Sequence, residues 1–342
     1  MSALVKPVEG YLIESVETII FDVKGLVHPP DKVIAFPRFI PSPQGPRFRR
    51  KTPYRKIYSL NERFEFLAKN CPEYIIYDPI FDTKLCEVPV ERIKRVYNPI
   101  EGLRKLKKKS TLKKIEKEAL ECLKTLKMES NVPWSSLGIS GSILAGTYNE
   151  SSDIDPIVFG SENCLKVHST LRRLLEEGDT PFKPYSIEDL RKLFNFRSKD
   201  TQMSFKDFIV TESRKVFQGK FMNRDYFIRF VKKPSEIVEK YGDTQYRNVG
   251  YARVEAVVTD DSEAIFTPCA YKIEDPKVLE GPKLQPILEI VSFRGRFCEQ
   301  ARKNEQILAQ GKIEHVKNLR TKEEYYRLII GNTPKDYMIL KS

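Results

Sequence analysis

Residues 137–160, LGISGSILAGTYNESSDIDPIVFG, set residue types that bind phosphate beside residue types that bind a divalent cation. The apolar run ending at Ser140 predicts a short strand, and Gly141-Ser142 predicts a turn opening one or two helical turns. A glycine there lets the backbone approach a ligand without a Cβ. The N–H groups at the start of the helix point outward with the positive end of its dipole, which suits a phosphate. Residues 153–159 predict a second strand, entered through a polar loop. Alternate strand residues share a face, so Asp153 and Asp155 project together while Ile154 packs behind them. Two bare carboxylates so close repel each other and raise at least one pKa. A hard divalent cation offsets that repulsion, and Mg²⁺ held by a carboxylate pair and substrate phosphates is a usual arrangement where phosphoryl groups are transferred.

Ten residues separate Ser142 from Asp153. A hydrophobic strand ending in Gly-Ser, followed at this spacing by Asp-x-Asp opening the next strand, resembles the signature of the DNA polymerase β-like nucleotidyltransferase superfamily, in its archaeal type. The match lies in Gly141, Ser142, Asp153 and Asp155, with Gly146 and Ser152 also where many members place them. Pro156 departs from the pattern, since members more often carry an aliphatic residue there. Proline donates no ladder bond, so an edge strand or an irregularity just after the carboxylates is expected.

The resemblance implies transfer of a nucleoside monophosphate from a nucleoside triphosphate to an acceptor hydroxyl. Asp153 and Asp155 would hold metal, with two Mg²⁺ ions expected, and Gly141, Ser142 and Ser152 would lie at the nucleotide. The superfamily places a third carboxylate on a later strand. In residues 220–231, Tyr226, Ile228 and Phe230 take one face and leave Asp225 on the other, which makes Asp225 the candidate; Asp207 and Glu212 are the alternatives. An RNA 3′ end fits the chain's charge best as acceptor. A protein side chain, a small molecule, or a silent nucleic-acid-binding module that keeps the fold are the competing readings.

These residues need a scaffold, and a chain of 342 residues is long enough for two or three domains. The expected fold is mixed α/β (α+β), a nucleotidyltransferase-like domain with a short mixed sheet at 101–233, between a β-rich region at 1–100 and a β-rich domain at 234–342. Leucines and Ile115 recur at helical spacing across 101–130, so one long helix with a lysine-rich outer face should lead into the strand before Gly141. Hairpins are expected around the prolines after His28, taken as a surface turn residue, and around 260–262. The C-terminal strands are expected to close a sheet or barrel with the N-terminal hairpin. The segment 292–297 reads as part of a strand, with Arg294 and Arg296 suited either to phosphate or base contact or to salt bridges. Residues 325–342 read as a helix and a strand.

Fifty-nine basic against 47 acidic residues leave a net charge of +12, which favours a polyanionic partner. Arg47, Arg49, Arg50, Lys51, Arg55 and Lys56 fall together without an acidic residue, interleaved with Phe48, Tyr54 and Tyr58. Cations that track phosphate and rings that stack on bases make such a loop a candidate single-stranded RNA site, carried by Arg47, Arg49, Arg50, Tyr54 and Arg55. The six cysteines form no Cys-x-x-Cys pair and the three histidines lie far apart, which argues against zinc ligation and a disulfide framework. No apolar run reaches membrane-span length and the first residues lack a signal-peptide core, so the expected location is cytoplasmic, without membrane contact.

Overall fold

The alternation of buried and exposed positions on either side of Ile154 is the seed of a small mixed sheet. In the computed structural model, which describes residues 7–341, Leu137–Ile139 runs antiparallel to Pro156–Phe159, and Pro156–Phe159 runs parallel to Arg229–Val231. Pro156 therefore begins the central strand of three rather than an edge. The irregularity falls beside it. Pairing to the third strand is broken between an isolated bridge at Ile154 and the regular register that starts at Ile157.

Helix Lys114–Ser130 packs on this sheet and against helix Ser161–Glu177. Its buried residues Ile115, Ala119, Cys122, Leu123 and Leu126 recur at the spacing of one helical face. The long helix expected over 101–130 is two helices, Pro99–Lys107 and Lys114–Ser130. Lys108, Lys109 and Ser110-Thr111-Leu112 intervene before Lys113, and each helix has its own start. Asn98 caps the first, with proline at its first turn, while Glu116 accepts the Lys113 N–H of the second at 3.0 Å.

Two compact units divide the chain, and both are discontinuous. The first contains the described residues up to Ile76, then Leu85–Pro184 and Val216–Val238. Tyr77–Lys84, Tyr185–Lys215 and the chain from Glu239 make up the second. The contiguous segments 1–100, 101–233 and 234–342 are thus redistributed over the two. Besides the three-stranded sheet, the first unit has an antiparallel sheet in which Lys32–Pro41 pairs with Ile20–Val23 and with Thr52–Lys56. His28 is buried in this region, and its Nδ1 accepts the Ile34 N–H at 3.2 Å, so it is a structural histidine and not a surface one.

The second unit closes a barrel from its own strands, without the N-terminal hairpin. Thr244–Asp260 pairs antiparallel with both Cys269–Glu280 and Gln306–Asn318. Cys269–Glu280 pairs with Ile287–Ser292, which runs parallel to Glu324–Ile329, and that strand returns to Gln306–Asn318. The circuit leaves no open edge among these five. Its first strand is 17 residues long, enough to serve two neighbours, which is why no outside strand is required. Two further expectations fail locally. Residues 292–297 leave the strand at Ser292 and turn through Gly295–Phe297, and the last segment is two strands, Glu324–Ile329 and Tyr337–Leu340, with no helix. No helix among the described residues is long and apolar enough to cross a membrane.

Candidate functional site

The strand end at Ser140 is tied down from two sides. Its N–H donates to the Asp155 carbonyl at 2.9 Å and its hydroxyl to the Gly10 carbonyl at 2.8 Å. Gly141 then turns the chain with φ +58° into the short helix Gly141–Ala145, which ends at Gly146 with φ +72°. A Cβ at Gly141 would stand 1.7 Å from Asp155 Oδ2. The close approach that only glycine permits is made to the chain's own carboxylate. Behind this turn, the hydroxyls of Ser142 and Thr147 are buried without a hydrogen-bond partner, an arrangement that costs stability unless something else satisfies them.

Ile154 is fully buried, and the residues on either side of it turn their carboxylates to the opposite face. Burial of Asp155, followed by the negative charge of Asp153, pushes its pKa up to about 7. Lys56, Arg38 and Arg229 pull it back only in part. Lys56 Nζ lies 3.9 Å from Asp153 Oδ1, with a side chain only 8% exposed. Arg229 stands on the third strand opposite Ile157, and its guanidinium bridges Glu9 at 2.8 Å and Asp22 at 3.2 Å. Burial works to raise the Asp22 pKa, but Lys24, Arg229 and Arg38 together hold it well below the usual carboxylate range. Arg38 and Lys56 both lie over the ring of Tyr58, at 5.2 and 5.1 Å from its centroid, and Tyr58 is 40% exposed.

Asp225 shares this face. The Ile154 N–H donates to the Asp225 carbonyl and the Phe227 N–H to the Ile154 carbonyl, each at 2.9 Å, so Asp225 neighbours Asp153 on a parallel strand. Its carboxylate is held elsewhere, by Lys220 at 2.8 Å, with half of the side chain exposed. No three metal-binding side chains converge among the described residues. Of the alternatives, Asp207 is engaged with the helix-capping Ser204, and Glu212 is enclosed by Arg197 and Lys215.

Several expected ligand residues are instead parts of the scaffold. Residues 47–56 form the hairpin Arg47–Arg49 and Thr52–Lys56, which fixes alternate side chains inward. Arg47 is buried and donates to the Thr147 carbonyl at 3.1 Å and to Ser152 Oγ at 3.0 Å. Ser152 also accepts the Asn149 N–H at 3.0 Å, so the two hold the loop before the carboxylates and neither faces a nucleotide or a nucleic acid. Tyr54 is 2% exposed in a cluster with Leu12, Ile20, Phe39 and Ala145, and no base can stack on it. Arg49 pairs with Glu14 at 3.0 Å and lies over Tyr97, while Arg55 pairs with Glu62. Arg50, at the hairpin tip with φ +55°, is exposed next to the exposed Phe48.

Arg38, Arg229, Asp22 and Glu9 escaped the sequence analysis. For the two arginines the usable signal was a cation set against apolar neighbours, Arg38 within Lys32–Pro41 and Arg229 at the start of Arg229–Val231, because such a charge is retained only where it has a partner.

No family model matches the sequence, and no solved structure matches it. The chain is 30% identical over 329 residues to the "Uncharacterized protein MJ1086" of Methanocaldococcus jannaschii. The alignment takes in 94% of this chain and 94% of that one, and the chain belongs to the family of that archaeal protein.

Proposed function

We propose that the protein is a Mg²⁺-dependent nucleotidyltransferase of the DNA polymerase β-like type, moving a nucleoside monophosphate from a triphosphate to an acceptor hydroxyl on RNA. The observation that carries this is the packing of the Asp155 carboxylate against the Gly141 turn, where a Cβ would be only 1.7 Å away. It makes the Gly-Ser turn and the Asp-x-Asp strand one site. The strand, short helix, strand, helix, third strand order around it agrees with the resemblance.

The donor set suits one Mg²⁺. Asp153 and Asp155 offer hard oxygens on one face, and the raised pKa of Asp155 means that burial and Asp153 outweigh the pull of Lys56, Arg38 and Arg229 on its ionised form. Substrate phosphates would complete the shell. When bound, the ion would neutralise charge on the transferring phosphate. A second ion needs a further carboxylate, and Asp225 supplies one only if it leaves Lys220. Arg38, Lys56 and Arg229 would favour the triphosphate's negative charge. Tyr58, exposed at the same cations, would offer a face to the base. The first unit carries nearly all of the chain's +12 charge, which supports a polyanionic acceptor.

A catalytically silent nucleic-acid-binding module is the second reading, favoured by the Asp225 to Lys220 ion pair. Incubation with α-labelled triphosphates, Mg²⁺ and total RNA separates the two. Transfer of label to RNA is expected, with a loss of roughly a thousandfold or more in Asp153→Asn or Asp155→Asn. Triphosphate binding without transfer by the wild-type protein would establish the silent module instead.

A further inference from the structure

The first unit carries a second concentration of positive charge, around the turn between helices Pro99–Lys107 and Lys114–Ser130. Residues 104–117 hold eight basic side chains and one acidic, a net +7 of the chain's +12. Unlike the hairpin 47–56, whose arginines are largely claimed by internal contacts, this run keeps most of its charge. Arg104 pairs with Glu101, and Lys109 donates to both oxygens of Glu116 at 2.8 and 2.9 Å. Glu116 is fully committed, since it also accepts the Lys113 N–H at 3.0 Å and the Tyr148 hydroxyl at 2.8 Å. None of the described carboxylates forms an ion pair with Lys105, Lys107, Lys108, Lys113, Lys114 or Lys117, and all six side chains are exposed.

Two of the six are held in place all the same. Lys107 Nζ stands 3.7 Å from the ring centroid of Trp134, and Lys113 Nζ stands 5.4 Å from that of Tyr148. A ring face orders an ammonium but, unlike a carboxylate, does not neutralise it. Cations fixed in this way lose less freedom when they grip an anion. Lys113, Lys114 and Lys117 also sit at the start of Lys114–Ser130, the positive end of its dipole, where like charge costs stability. A cost with no internal return is characteristic of a functional surface. The Glu116 to Tyr148 bond ties this turn to the loop 146–152 that leads into Asp153.

We propose that the lysine turn 104–117 is the surface that grips single-stranded RNA, with Lys105, Lys108, Lys114 and Lys117 on phosphates and with Lys107 and Lys113 preset by Trp134 and Tyr148. It rests on the RNA acceptor proposed above and names where that RNA is held. Six unpaired cations at two helix ends exceed what one phosphate group can satisfy, which favours a polymer over a small anion. A single strand is flexible enough to bring successive phosphates to cations clustered around one turn, and a stiff duplex is not.

Trp134 is the chain's one tryptophan, so its emission reports on this surface alone. Titrating the full-length protein in EDTA with an oligouridylate of about 12 nucleotides should change that emission saturably. Affinity should fall about fiftyfold between roughly 50 and 200 mM salt if four phosphates are gripped. Replacing Lys105, Lys108, Lys114 and Lys117 together by Gln should weaken binding roughly tenfold or more at low salt and lower the slope of log K against log salt by about 2 to 3. These side chains are exposed, so the variant should keep the wild-type melting temperature. Asp153→Asn should bind the oligomer as the wild type does, which separates this surface from the chemistry: RNA binding without any transfer upholds the surface and refutes the transferase. Absence of saturable binding at low salt, unchanged affinity and slope in the fourfold variant, or equally tight binding of duplex DNA of the same length overturns the proposal.

Discussion

Each unit buries a charged group whose pKa is pushed toward its neutral form, an acid in one and a base in the other. In the first, Asp155 is pushed up in pKa by burial and by Asp153, although Lys56, Arg38 and Arg229 stand nearby. In the second, Arg296 is pushed down by burial and by Arg294 and Arg197, although Asp200 and Glu212 stand nearby. Neighbouring counter-charges in both places are already committed to other groups: Arg229 to Glu9 and Asp22, Glu212 to Arg197 and Lys215. Proximity of opposite charges therefore does not settle whether a site is neutral; the hydrogen-bond assignments do. At the carboxylate pair, the sign of that shift is the one a bound cation would offset, which is why the proposed function places Mg²⁺ there. Surface charge does not give this away. The first unit, where the Asp155 pKa is raised, carries nearly all the chain's positive excess, and the second is close to balanced.

Changes confined to one unit should break one side of that contrast and leave the other intact. The largest effect is expected from Gly141→Ala. Its φ of +58° penalises any L side chain, and the new Cβ would displace the Asp155 carboxylate. A loss of about 2 to 4 kcal/mol is expected in denaturant unfolding, together with loss of Mg²⁺-dependent nucleotide binding. Wild-type stability with intact nucleotide binding would show that Asp155 does not pack on the turn. A smaller effect is expected from Tyr54→Phe. Removing the hydroxyl that donates to the Thr18 carbonyl at 3.1 Å should cost about 1 kcal/mol and leave RNA affinity unchanged. A tenfold loss of RNA affinity would put Tyr54 back at a nucleic-acid surface.

The local geometry at 137–160 was legible because the spacing of its residues maps onto short-range structure. The alternation that buries Ile154 and the turn at Gly141 are local facts, settled within a few residues. What surrounds the pair was not legible. Lys56, Arg38 and Arg229 come from strands far apart in sequence, and only the sheet pairings bring them to Asp155. The basic run 47–56 misled for the same reason. Composition counts Arg47 and Tyr54 as available cation and ring, while the hairpin turns both inward, where Thr147, Ser152 and the core claim them. The C-terminal barrel was half legible: strands and turns could be placed, but closure depends on one 17-residue strand pairing on both sides. Arg294 and Arg296 stood out in the sequence beside a glycine, and the sequence could not show that Asp200 is shared between them.

The central claim is that the carboxylate pair is built for a cation, and thermal unfolding across pH, in EDTA and in Mg²⁺, tests it most directly. The folded-state pKa of Asp155 lies above the ordinary unfolded value, so the folded protein binds this proton more tightly. Its contribution is fully present below about pH 4 and is lost as pH rises to about 7. Relative to Asp155→Asn in EDTA, the wild type should therefore lose on the order of 1 to 3 kcal/mol over that window, after allowance for its partial exposure. Mg²⁺ at pH 7 to 8 should restore the wild type and leave Asp153→Asn and Asp155→Asn unmoved. If Asp155→Asn melts well below the wild type in EDTA at pH 7, or Mg²⁺ stabilises all three proteins alike, the pair is a structural feature and the account is contradicted.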